Sequence, residues 1–258
     1  MAGPTVYPEL NSVLEELVSG ARVALGDNFC GAYLQGSFAA GEADEHSDVD
    51  FIVATNDEVT DEQLVTLQAM HKRIHGLGSP WAQHLEGSYI PKDALRHVDP
   101  ARSPYWFLDN GASELVRDNH CNTAVVRCTL REQGVALEGP DPSSLVEPVT
   151  PAQLRAEALS GIVEYAAWAR EPDMSRWKQP YLVLTFCRLL YTLHVGTVAS
   201  KREAAEWTLD SLDADWASLV RRALDDRPDP WLRVHQPADP EVAARTREFA
   251  KYAATFRS

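Results

Sequence analysis

The most informative part of the sequence is Gly36-Ser37-Phe38-Ala39-Ala40-Gly41, followed shortly by His46-Ser47-Asp48-Val49-Asp50-Phe51. Gly36 and Ser37 come directly after a short apolar segment, residues 29–34, which has the length of a strand. Glycine lets the backbone approach a ligand closely, and a helix start after it would present N–H groups to an anion. The Ser37 hydroxyl adds one more donor for a phosphate oxygen. The turn is therefore a candidate phosphate-binding site.

Two carboxylates follow at the start of a second apolar segment, residues 49–54, which we interpret as a strand. Because side chains alternate along a strand, Asp48 and Asp50 are expected on the same face. Two carboxylates beside a phosphate-binding turn are typical of a catalytic Mg²⁺ site. Either motif alone is a weak signal, since an Asp-x-Asp pair is often a solvated strand end. Their order along strand, turn, helix and strand favours the metal site.

A third carboxylate, Glu86, lies in a third candidate strand at residues 84–90. If this strand neighbours the one that carries Asp50, Glu86 faces the same site. It could then be a further metal ligand, or the base that deprotonates an acceptor hydroxyl. The residues alone leave both roles open.

The hydrophobic pattern predicts an α/β N-terminal domain, with a small mixed sheet flanked by helices, and an all-α C-terminal helical bundle. We place the domains at residues 1–150, including a connecting region, and 151–258. Residues 91–109 are predicted to be irregular and residues 138–143 to form a loop. Helices are predicted at residues 8–25, from 60 to 77, and at 122–133, 151–169, 181–195, 200–212, 216–224 and 240–256.

Charge and composition limit the partners. The formal net charge is -14, so the surface repels nucleic-acid phosphates and attracts a polycation. The same acidity could simply keep the protein soluble. The N-terminus has no signal-peptide pattern and no apolar run could span a membrane, so we expect a cytoplasmic protein without membrane contacts. We also expect a monomer.

These motifs resemble known families. The segment from Gly36-Ser37 through Ser47-Asp48-Val49-Asp50-Phe51 is similar to the signature of DNA polymerase β-like nucleotidyltransferases. Residues 131–140 resemble the interdomain loop of the aminoglycoside adenylyltransferases that modify streptomycin and spectinomycin. Residues 184–191 and 199–207 resemble the C-terminal helices of that family, so the likeness spans most of residues 30 to 225.

The resemblance implies a role for each matching residue. It implies that the co-substrate is ATP, that Mg²⁺ is the cofactor and that Glu86 is the base. Lys201, from the helical domain, is expected on the ATP phosphates and Arg188 is a second candidate cation. Lys201 could instead be a solvated helix start, and Arg188 a structural ion pair. The implied nucleotide-binding residues are Gly36, Ser37, Ser47, Arg188 and Lys201, and the implied metal ligands are Asp48, Asp50 and Glu86.

A cationic acceptor would suit acidic and aromatic side chains. One alternative is that the aromatic residues only pack in a core. The resemblance also implies an acidic drug contact before the helix that carries Arg188 in streptomycin-modifying members, whereas this chain has Lys178 there. The candidate acceptor-binding residues are Trp106, Asp109, Glu114, Asp118, Asp173, Trp177 and Tyr181.

The sequence therefore predicts a Mg²⁺-dependent enzyme that moves AMP from ATP onto a hydroxyl of an aminoglycoside or aminocyclitol such as spectinomycin or streptomycin. Two alternatives stay open. The acceptor could be another small molecule or a protein side chain, or the chain could be an inactive nucleotide-binding module. His84 and His120 have no assigned role.

Overall fold

The computed structural model describes residues 3–45, 47–227 and 233–256, so His46 of the Asp48–Asp50 motif lies outside the described residues. The chain divides into two units, residues 1–149 and residues 150–258. Each unit has hydrophobic core clusters of its own.

A mixed six-stranded sheet organises the first unit. Its strands are β1 (Phe29–Leu34), β2 (Val49–Thr55), β3 (Leu85–Pro91), β4 (Tyr105–Leu108), β5 (Leu115–Asp118) and β6 (Val135–Glu138). The spatial order is β5-β4-β3-β2-β1-β6. Strands β2 and β3 are parallel, and every other neighbouring pair is antiparallel. The parallel pair at the centre of the sheet carries Asp50 and Glu86.

Helices cover both faces of this sheet. They are α1 (Pro8–Leu25), α2 (Gly36–Ala39), α3 (Asp61–His75), α4 (Pro80–Gln83), α5 (Lys92–Arg96), α6 (Ala124–Gln133) and α7 (Pro142–Leu145). Helices α1, α3 and α4 pack on one face, where Leu17 and Ile74 share a core with Phe51. Helices α5, α6 and α7 pack on the other, where Leu95 and Leu130 join Ile52. The predicted mixed sheet flanked by helices is confirmed.

Local signals explain where the longer helices begin and end. Pro8 occupies the first turn of α1, where its missing N–H has no partner to lose, and Gly26 ends the helix with φ 56°. Helix α3 begins with a capping box, in which Thr60 and Gln63 satisfy each other's backbone N–H groups. The predicted start at Thr60-Asp61 is therefore set by side-chain chemistry.

Three short strands and three short helices, α4, α5 and α7, were not predicted, and the predicted loop at residues 138–143 overlaps the end of β6 and the start of α7. Residues 91–109 contain α5 and β4 rather than irregular chain, and β5 and β6 also lack a prediction. Each of these strands has four residues, too few to establish an alternating pattern. Strand β6 falls in the segment that resembles a family loop, and it pairs with β1 at the sheet edge. Tertiary pairing, not local pattern, defines these strands.

The second unit is helical, as predicted. Its helices are α8 (Pro151–Ala169), α9 (Lys178–Val195), α10 (Lys201–Ser211), α11 (Ala217–Asp225) and α12 (Pro240–Thr255). Helix α9 contacts the other four, and its residues Leu182, Phe186 and Leu190 are fully buried along one stripe. It begins three residues earlier than predicted, because Pro180 is tolerated in a first turn. No helix in the described part of the chain is long and apolar enough to cross a membrane.

Candidate active site

The turn after β1 packs directly against Asp50. Gly36 has φ 61°, a left-handed conformation that favours glycine. A Cβ atom at this position would lie 2.0 Å from Oδ2 of Asp50, so a larger residue would displace the carboxylate. The Gln35 N–H also donates to the Asp50 carbonyl at 3.0 Å. The position of the carboxylate therefore depends on the glycine.

The two serines of the motif differ in their surroundings. Ser37 is half-buried in α2, and its carbonyl accepts the Glu42 N–H at 3.0 Å. Ser47 is buried, and its hydroxyl accepts the Asp44 N–H at 3.0 Å and donates to Asp44 Oδ1 at 3.1 Å. The Ser47 hydroxyl thus closes the loop that leads to Asp48. Nucleotide binding by either serine stays a prediction.

The register of β2 and β3 sets two carboxylates side by side. Asp50 in β2 is paired with Glu86 in the parallel strand β3, so both side chains leave the same face of the sheet. Both residues are half-buried. Asp48 is also half-buried and directly precedes β2, with the fully buried Val49 between it and Asp50. The structure therefore brings Asp50 and Glu86 together at the Gly36 turn.

Glu86 is contacted by a histidine for which the sequence pattern indicates no role. Nε2 of His120 lies 3.0 Å from Oε1 of Glu86, whose side chain is only 15 % exposed. The imidazole stacks on Phe107, with centroids 5.0 Å apart. The hydrogen bond to Glu86 raises the pKa of His120, against the effect of burial. The signal that could have identified His120 is its place just after β5, a strand too short to be recognised.

Two predicted acceptor-binding carboxylates lie near this pair. Asp118 ends β5, and its Oδ1 accepts the N–H of His120 at 2.8 Å. Asp109 follows β4, and its pKa is raised, first by partial loss of hydration and then by the Glu86 carboxylate. Both Asp109 and Asp118 are exposed at their positions. This edge of the sheet is therefore strongly acidic.

Trp106 and Glu114 do not join this group. Trp106 is paired with Tyr89 and packs against the core beneath α1 and α3, on the face opposite Phe107. The guanidinium of Arg117 lies 4.7 Å from the centre of its ring. Strand alternation thus separates Trp106 from Asp50 and Glu86. Glu114 is exposed just before β5. Acceptor binding by these two residues stays a prediction.

The donor set suits a Mg²⁺ ion that arrives with a triphosphate. Within residues 3–45, 47–227 and 233–256, no group of three or more His, Cys, Asp or Glu side chains could hold a metal ion by itself. Mg²⁺ is commonly bound by one or two carboxylates, with water and phosphate oxygens completing its shell. Asp48 and Asp50 fit that requirement. Oε1 of Glu86 is already engaged by His120, which favours the role of base over that of third ligand.

In the second unit, Arg188 and Lys201 belong to one connection. Ser200 caps α10 by accepting the Glu203 N–H at 3.1 Å, and Lys201 is the first residue of the helix. Arg188 Nε donates to the Ala199 carbonyl at 3.2 Å. Arg188 therefore anchors the segment that presents Lys201. The contact of either residue with ATP stays a prediction.

Four aromatic side chains cluster where α8 faces α9, and they include two predicted acceptor-binding residues. Trp177 and Tyr181 are stacked, with centroids 5.1 Å apart, and the hydroxyls of Tyr165 and Tyr181 are 3.3 Å apart. Trp168 packs against Trp177 and Tyr181. Lys201 Nζ lies 5.8 Å from the centre of the Tyr181 ring. The cluster combines half-buried rings with an ammonium group.

Lys178 is buried beside this cluster. Its side chain is 7 % exposed, and Nζ lies 3.0 Å from Oε2 of Glu171 and 4.6 Å from the centre of the Trp168 ring. The ammonium also contacts the carbonyl of Asp173, which is itself exposed. The acidic partner in this region is therefore Glu171, which belongs to none of the sequence motifs.

Comparisons with known proteins identify two domain families. Residues 144–254 match the family model for the aminoglycoside adenylyltransferase C-terminal domain, and residues 26–79 match the polymerase beta nucleotidyltransferase model. The chain is 25 % identical to the aminoglycoside (3'') (9) adenylyltransferase of Shigella flexneri, over 84 % of this chain and 85 % of that protein. Residues 144–254 therefore belong with the aminoglycoside adenylyltransferase C-terminal domains, and residues 26–79 belong with the polymerase beta nucleotidyltransferase domains. The chain is a nucleotidyltransferase, as predicted.

A second named relative and a solved structure show the same likeness. The spectinomycin 9-adenylyltransferase of Staphylococcus aureus is 23 % identical, over 76 % of each chain. The crystal structure of spectinomycin adenyltransferase AAD(9) from Enterococcus faecialis, determined with ATP and spectinomycin, has a TM-score of 0.71. The structural alignment covers 95 % of this chain and 99 % of the AAD(9) chain. Because the sequence identity is 14 %, this similarity shows a shared fold.

The family matches cover the candidate site unevenly. Gly36 and Asp50 lie within the matched residues 26–79, and Lys201 lies within 144–254. Glu86 and His120 lie between the two matched segments. Their place in this chain is therefore given by the strand register and side-chain contacts described above.

Proposed function

We propose that this protein transfers AMP from ATP to a hydroxyl group of a cationic aminocyclitol or aminoglycoside, with Mg²⁺ as cofactor. The names of its relatives support adenylyl transfer to this class of antibiotic, and AAD(9) was solved with ATP and spectinomycin. The observation that carries the proposal is the register that sets Asp50 beside Glu86 at the Gly36 turn.

The reaction assigns one task to each group. Asp48 and Asp50 would hold Mg²⁺, which when bound offsets the charge of the triphosphate. Glu86 accepts the proton of the acceptor hydroxyl, whose oxygen forms a bond to the α-phosphorus. The bond from that phosphorus to the bridging oxygen breaks, and pyrophosphate leaves with the electron pair. Ser37 and Lys201 are proposed to bind the phosphates.

The surroundings of Lys178 favour spectinomycin over streptomycin. Streptomycin carries two guanidinium groups, and each guanidinium binds well to a carboxylate through two parallel hydrogen bonds. The Glu171 carboxylate in this region is already engaged by the buried Lys178 ammonium at 3.0 Å. A streptomycin guanidinium in this region would therefore meet the Lys178 ammonium instead of an available carboxylate. A cytoplasmic location and a monomeric state remain predictions.

The test is pyrophosphate release with ATP and Mg²⁺ against spectinomycin, streptomycin, other aminoglycosides and a no-acceptor control. We expect release that depends on acceptor and is fastest with spectinomycin, and none from the Asp50→Asn variant. ATP binding without acceptor-dependent release across the panel would contradict the proposed acceptor class. Another small molecule, a protein side chain or an inactive nucleotide-binding module would then be the better interpretation.

A further inference from the structure

We propose that His120 is a positioning residue that orients the Glu86 carboxylate toward the acceptor hydroxyl. The inference rests on the proposed function, in which Glu86 is the base. Nε2 of His120 lies 3.0 Å from Oε1 of Glu86, so an N–H on this nitrogen donates to the carboxylate. That contact leaves Oε2 as the oxygen that takes the proton.

Contacts to both the ring and the backbone of His120 hold the imidazole in place. Its flat face lies on Phe107 of β4, with an interplanar angle of 26°. The backbone N–H of His120 donates to Asp118 Oδ1 at 2.8 Å, and the Asn122 N–H closes the same turn on the Asn119 carbonyl at 2.9 Å. Ring and backbone are therefore both restrained, as a positioning contact requires.

A buried amide extends this support. Asn122 is 1 % exposed, and its side chain donates to Asp99 Oδ2 at 3.1 Å and to the Ser103 carbonyl at 2.9 Å. The turn that carries His120 is thereby fixed to the loop before β4. Since β4 pairs with β3, the turn and Glu86 belong to one connected part of the sheet.

Glu86 needs such a restraint because of its neighbours. It stands beside Asp50 in the sheet, and two carboxylates at close range repel each other. Without a donor on one oxygen, this repulsion would turn the Glu86 side chain away from Asp50. The N–H of His120 offsets the repulsion and selects one orientation.

Two variants separate the hydrogen bond from the ring. His120→Phe keeps the aromatic ring on Phe107 and removes the N–H, whereas His120→Gln restores a donor near the Nε2 position and removes the ring. His97→Phe is the matched control, because His97 forms a similar pair with Glu147 at 3.5 Å elsewhere in the first unit. Each is assayed for kcat, for the KM of ATP and spectinomycin, and for its thermal midpoint.

We expect His120→Phe to lower kcat about 10- to 100-fold, with both KM values and the thermal midpoint unchanged. His120→Gln should recover most of this loss, and His97→Phe should match the wild type. A wild-type kcat in His120→Phe overturns the proposal, since Glu86 then needs no orientation. A rise in the KM of spectinomycin alone also overturns it, since His120 then binds the acceptor.

Failure of the proposed function gives a different result. If the wild-type protein transfers AMP to no acceptor, the proposed function fails, and the positioning role fails with it because no hydroxyl is deprotonated. If the wild type is active and His120→Phe is equally active, the positioning role alone fails.

Discussion

At the scale of single residues, the absence of a side chain at Gly36 leaves room for the Asp50 carboxylate. Gly36→Ala would place a Cβ atom 2.0 Å from Asp50 Oδ2. We expect the variant to lose about 100-fold in kcat/KM, because the displaced carboxylate no longer holds its ligand in place. The left-handed φ of 61° should also cost about 1–2 kcal/mol of unfolding free energy.

Gly41→Ala is the matched control for this substitution. Gly41 has a similar positive φ of 71°, but a Cβ atom there would meet nothing within 4 Å. Urea denaturation should show similar losses of stability for both variants, while Gly41→Ala keeps its activity. Equal activity of the two variants would mean that the Gly36 turn does not set the position of Asp50.

The sequence reveals Asp50 and Glu86 but not His120. Alternation in two apolar strands is enough to predict that Asp50 and Glu86 face one site, if the strands are neighbours. His120 reaches Glu86 only through the pairing of β3 with β4 and of β4 with β5. Such long-range pairings leave no local pattern in four-residue strands.

At the scale of elements, α3 docks on the sheet through a buried polar pair. His71 Nε2 lies 2.8 Å from the Tyr89 hydroxyl, and the histidine is 1 % exposed. Burial lowers the pKa of His71 from 6.5 to about 3. Below pH 6.5 the His71 imidazole is therefore protonated in the unfolded chain, whereas it stays neutral in the folded protein. The unfolding free energy is therefore unaffected by His71 protonation above pH 6.5. It falls as the pH decreases from 6.5 toward 3, because only the unfolded chain binds the proton.

We expect His71→Gln to flatten this dependence. Glutamine can still hydrogen-bond to Tyr89 but does not titrate. Between about pH 6 and pH 4, the unfolding free energy of the variant should fall less steeply, by up to about 1.4 kcal/mol per pH unit. Denaturation curves across this range measure the difference. Parallel pH dependences in both proteins would show that His71 is not held neutral by the fold.

Long elements were predictable and short ones were not. Helix α1 and strand β1 have the predicted bounds, because a proline start, a glycine stop and an apolar run are local signals. Strand β6 forms by pairing with the edge of β1, and the sequence of residues 135–138 has no local pattern that predicts this pairing.

At the scale of the whole molecule, charge and family agree. The formal net charge of -14 favours a cationic acceptor, and the relatives named for aminoglycosides and spectinomycin act on that kind of molecule. Composition predicts a cationic acceptor, but it does not predict which molecule that acceptor is. We expect its identity to depend on local pairs such as Lys178 with Glu171, which lie seven residues apart and meet in the folded second unit.

We propose that Asp50 and Glu86 together carry out AMP transfer. The most direct measurement is the mass of spectinomycin after incubation with ATP, Mg²⁺ and wild type or Glu86→Gln, with ATP affinity determined separately. We predict an AMP adduct with the wild type, and in Glu86→Gln an unchanged ATP affinity with transfer slowed by about 100-fold or more. Adduct formation by Glu86→Gln at the wild-type rate would contradict the claim.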